Sequence, residues 1–100
     1  MMEIERIQAM AARAQSDAEK NEIQAAVGAL GMTFQQMLEG TQRFMQSGFQ
    51  VPVDFAAAGQ AIETLRRIGE SYGEAFPECK DEAAVAEYVI RFGSEIMHAE

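Results

Sequence analysis

Cysteine, histidine, proline and tryptophan are all but missing from this chain. The single cysteine, Cys79, permits no internal disulfide and no zinc or redox pair, so a reducing, cytoplasmic setting is expected. Tryptophan is absent, which removes hairpin signatures of the Trp-x-Gly type. Histidine occurs once, as His98, so Ser-His-Asp and Cys-His nucleophilic arrangements lack an imidazole unless a partner chain supplies one. No glycine is followed by lysine and no strand precedes Gly28-x-x-Gly31, so there is no phosphate-binding loop.

Basic residues are scarce as well. Eight Lys and Arg face sixteen Asp and Glu, a net charge of −8, and residues 51–100 carry ten of those acids. Binding to a phosphate backbone requires clustered Lys and Arg, so no direct nucleic-acid binding is expected, and no attraction to anionic membranes. Long apolar runs are also lacking. The longest charge-free stretch, Ile23–Leu38, has sixteen residues and includes Gln24, Thr33, Gln35 and Gln36, too short and too polar to span a bilayer. The opening Met1-Met2-Glu3-Ile4-Glu5-Arg6 has two acids and no apolar core, so no secretory leader is expected.

What remains is helical periodicity, with apolar residues at 48% of the chain and a length suited to one domain over residues 1–100. Ile4, Ile7, Ala11, Ala14 and Ala18 form a first stripe. Ser16-x-x-Glu19 then matches a capping box, and the stripe changes phase before Ile23. A break near Ser16 is expected, making a helical hairpin rather than one long helix. In the second stretch Ile23, Leu30, Met37 and Phe44 stand seven apart, with Val27, Phe34 and Thr41 as companions. Gly40 weakens this element and Ser47-Gly48 ends it. Asp54 is the expected cap of a third helix burying Phe55, Ala58, Ile62, Leu65, Ile68, Tyr72 and Phe76. Its outer face offers Glu63–Arg67 and Arg66–Glu70 pairs, and Gly73 and Pro77 close it. Asp81 caps a fourth helix with Val85, Tyr88, Val89, Phe92 and Ile96 inward and Glu87 paired to Arg91 outward. The expected fold is therefore all-α, a compact bundle of about four helices, and dimeric.

Candidate chemistry is thin. Lys80 beside Cys79 would lower the thiol pKa slightly, although an inert cysteine in a turn is the commoner case. Gly69-x-x-x-Gly73 reads as a close-packing notch or a weakened helix end. Glu95-x-x-His98 has the spacing of a helical carboxylate–imidazole metal pair, but a di-iron site needs a second pair and two more glutamates. No catalytic residue, cofactor or metal is expected. An acidic corner gathers Glu74, Glu78, Asp81, Glu82 and Glu87 against Lys80 alone, a net of −4. It is either a solvated corner or a surface for a basic partner. The segment from Ile23 to Phe44 is apolar or small all round. Its residues Ile23, Val27, Leu30, Phe34, Met37 and Phe44 are expected to serve self-association as well as the core.

The functional expectation is a non-enzymatic protein–protein interaction module, an adaptor, chaperone or regulator acting by helix docking, with another protein as partner and a homodimer as its own state. Two rival readings stand beside it. One is an acidic inhibitor, of the kind a virus encodes, that blocks a nucleic-acid-binding surface of a target. The other is a metal-dependent oxidoreductase using Glu95 and His98 in a dimer.

Overall fold

A computed structural model describes residues 3–48 and 52–97 as four helices. They are α1 (Glu3–Arg13), α2 (Asp17–Ser47), α3 (Phe55–Glu70) and α4 (Glu82–Met97), with no strand among the described residues. The expected break falls between α1 and α2. Ser16 is extended at φ −146°, and its hydroxyl accepts the Glu19 amide at 3.2 Å, satisfying one of the donors that a helix start leaves open. The other half of the capping box is not made, because the Glu19 carboxylate accepts the Tyr72 hydroxyl instead. Asp54 and Asp81 cap α3 and α4 by accepting from Ala57 at 3.0 Å and Ala84 at 2.8 Å.

Two glycines take the left-handed backbone that disfavours other residues. Gly48, at φ 71°, ends α2 by donating its N–H to the Phe44 carbonyl at 2.8 Å. Gly73, at φ 70°, turns the chain so that the Glu74 amide returns to the Gly69 carbonyl at 2.9 Å. A Cβ on Gly69 would stand 2.7 Å from the Glu74 backbone oxygen, so Gly69 is needed for close packing at the helix end, whereas Gly73 has open space around it and serves the turn.

α2 is the spine of the bundle and packs against each of the other three helices. α3 runs antiparallel to it. Its start is tied at Asp54, whose amide donates to Gln36 at 3.0 Å, and its far end at Arg67, which meets Glu22 at 3.0 Å. Small residues let the two helices close up, with Ala26, Ala58 and Ala61 all buried. α4 crosses where its Val85 lies beside Gly59 of α3 and its Gly93 beneath Phe34 of α2. Ile7, Met10, Ile23, Leu30, Ile62, Leu65, Val89 and Phe92 form the fully buried centre, and Thr33 joins them by donating its hydroxyl to the Ala29 carbonyl at 2.9 Å. Each large side chain buried here contributes about 1.5–3 kcal/mol.

Several sequence expectations are corrected. Tyr72 and Phe76 lie beyond the end of α3, so they reach the core from the loop that follows, Phe76 buried and Tyr72 half-buried. Ile96 is exposed, since α4 by then has passed the elements that would cover it. The expected Glu63–Arg67 and Arg66–Glu70 pairs give way to others. Arg66 instead meets Glu63 at 2.8 Å and Glu78 at 3.7 Å, while Arg67 reaches across to α2. The Cys79 thiol is pushed up rather than down, by burial first and then by the charges of Asp81, Glu63 and Glu87.

Candidate interaction surface

The heptad series on α2 measures how far the bundle extends along it. Ile23 and Leu30 are 1% and 0% exposed, Met37 is half-buried against the core, and Phe44 is 55% exposed. One face of one helix is therefore core in its first half and surface in its second. The cause is a mismatch of lengths. α2 has 31 residues, about 46 Å at 1.5 Å per residue, nearly the 48 Å long dimension of the molecule. α3 has only 16 residues and begins level with Thr33 and Gln36. From Leu38 to Ser47 the helix rises about 15 Å past that level, and every residue from Thr41 to Gly48 is exposed.

Leu38 and Met45 are exposed beside Phe44 on this free part of α2, at 48% and 81%. Ile23 and Leu30, expected to serve self-association, are enclosed in the chain's own core and are closed to a second molecule in this fold. Val27, Phe34 and Met37 are partly covered, which leaves Phe44 as the one open member of that set. Leu38 and Met45 are the exposed apolar residues beside it. Leu38 lies within the Ile23–Phe44 segment and Met45 one residue beyond it, and the sequence does not say where the covering helices stop.

The acidic corner is largely occupied with its own structure. Glu74 meets Arg6 of α1 at 2.9 Å, Glu78 meets Arg66 at 3.7 Å, and Glu87 meets Arg91 at 4.0 Å. Asp81 caps α4, and Glu82 stands exposed in its first turn, where the helix dipole favours an acid. Arg6 is the hub of this corner. Its guanidinium also meets Glu3 and the Ala75 carbonyl and lies 4.6 Å over the Phe76 ring.

Glu95 holds a helix start. Its Oε2 accepts the Glu3 amide at 2.8 Å and the Ile4 amide at 3.4 Å, capping α1 from α4. Periodicity could not reveal this, because donors and acceptor lie at opposite ends of the chain. His98, the other half of the expected metal pair, lies outside the described residues. No group of three potential metal-ligating side chains occurs among the described residues. Likewise, no described helix is long and apolar enough to cross a membrane. No protein-family model, curated protein or solved structure matches this chain.

Proposed function

We propose that this chain is a non-enzymatic protein–protein interaction module, of adaptor, chaperone or regulator type, that works by docking helix against helix. The observation that carries the reading is the run of one apolar face out of the core into the open. It is buried at Ile23 and Leu30, half-buried at Val27, Phe34 and Met37, and exposed at Leu38, Phe44 and Met45. Apolar anchors repeating at three- and four-residue spacing are what a partner helix reads. Methionine among them adds a surface that adapts its shape at little cost. A free helix end of this kind is not needed to complete the fold, since the core is closed without it. The acidic corner lends less support to the inhibitor reading, because three of its five acids already face an arginine and a fourth is a helix cap.

The test is affinity capture from the native host with wild type and with a Phe44→Glu/Met45→Glu double variant. A partner retained by the first and lost by the second, with unchanged circular dichroism, supports the reading. Identical capture by both would remove this face from the function.

A further inference from the structure

The residues of the free face are arranged symmetrically about Thr41. Met37 and Met45 stand four residues to either side of it, Leu38 and Phe44 three. At 3.6 residues per turn all four lie within about 60° of Thr41 around the helix. Read from either end, the stripe runs methionine, large apolar residue, threonine, large apolar residue, methionine. A two-fold axis brings a patch against itself, and this series presents to its own copy the same residue types in reverse order. We propose that the occupant of this face is a second copy of the chain, bound antiparallel about an axis that passes between two Thr41 side chains. The proposal rests on the helix-docking reading and names its partner. In this pairing Met37 of each copy meets Phe44 of the other and Leu38 meets Met45. Each rung then sets a flexible thioether against an aromatic or branched side chain.

Charge selects the same place. Each copy carries −8, so two copies repel over most of their surfaces. Between Ile23 and Gly48 the only charged residues are Glu39 and Arg43, of opposite sign. Both stand about 160° around the helix from Thr41, on its back, so the stripe itself is uncharged. Area sets the strength. Leu38, Phe44 and Met45, at 48%, 55% and 81% exposed, together with the edges of Met37 and Thr41, offer roughly 400 Å² per copy. The pair buries roughly 800 Å², below the ~1,200 Å² at which standard stable interfaces begin. The dimer is therefore reversible and sensitive to concentration.

Two measurements test it. Sedimentation equilibrium of the wild type, from low micromolar to near-millimolar protein, should pass from the monomer mass toward twice that value. Phe44→Glu/Met45→Glu should stay monomeric throughout with its helix content intact. In a Cys79→Ser background, Thr41→Cys should oxidise to a covalent dimer, whereas Arg43→Cys, on the back of the helix, should not. A wild type that is monomeric throughout, or equal cross-linking from both positions, would overturn the pairing. If such a monomer still captured a different protein through Phe44 and Met45, the docking face would stand and only the second copy would be withdrawn. If it captured nothing through them, both readings would fall.

Discussion

The ring of Phe34 on α2 rests against the bare backbone of Gly93 on α4, so closely that a methyl group on Gly93 would overlap the ring's Cγ and Cδ atoms. The approach of these two helices depends on that missing side chain. Alanine is normally worth about 1 kcal/mol over glycine within a helix. Here, however, overpacking costs about 1–3 kcal/mol on top of the displaced ring. Gly93→Ala should therefore lower stability in urea unfolding, and its cost should shrink when it is introduced into a Phe34→Ala parent, where the ring it meets is gone. Gly28 and Gly31 provide the control, because nothing stands within 4 Å of a Cβ at either position. Alanine there should raise stability by about 0.5–1 kcal/mol. A uniform response at all three glycines would contradict the steric account.

α1 takes a cap for its first described amides from α4. Glu95→Ala removes the acceptor of the Glu3 and Ile4 amides, and with it a carboxylate at the positive end of a helix. Loss of such a cap costs about 1 kcal/mol. Amide exchange in α1 should accelerate while the centres of α3 and α4 keep their protection. Unchanged exchange in α1 would show that water replaces Glu95 without penalty.

Tyr88 is 3% exposed, and its hydroxyl donates to Glu3 at 3.1 Å. Burial, then the Glu3 charge, pushes its pKa well above the usual tyrosine value. The folded state therefore holds this proton after the unfolded chain has released it. The resulting stability is complete below about pH 10 and declines above it, by up to about 1.4 kcal/mol per pH unit. Cys79 acts with the same sign from the lower thiol range, so the comparison belongs in a Cys79→Ser background. There, Tyr88→Phe should flatten the alkaline fall in unfolding free energy. A slope identical to that of the Cys79→Ser parent would assign the alkaline loss to other groups.

The helix starts were legible in the sequence because capping is local chemistry. Ser16, Asp54 and Asp81 each bond an amide three residues on, a distance the sequence displays directly. The buried faces of α3 and α4 were legible for the same reason, through Ile62, Leu65, Val85 and Phe92. Ionic partners were legible for Glu87 and Arg91 within α4 but not elsewhere. Arg67 had an acid four residues before it and chose Glu22 on another helix, and Arg6 chose Glu74 on the loop before α4. Packing decides such choices, because exposed pairs differ among themselves by only a few tenths of a kcal/mol. The free face was half-legible. Periodicity shows that α2 has an apolar stripe, but where that stripe leaves the core depends on the lengths of its neighbours.

α2 is one helix in its geometry and two in its resistance to opening. Between Ile23 and Thr33, where its buried residues lie, its turns open only when the core opens with them. Beyond Leu38 they are held by backbone bonds and their own propensity, with Gly40 set among them as a weak link. The upper turns can unwind and re-form many times within the lifetime of a single folded molecule, and anything that grips Phe44 and Met45 must first hold those turns still.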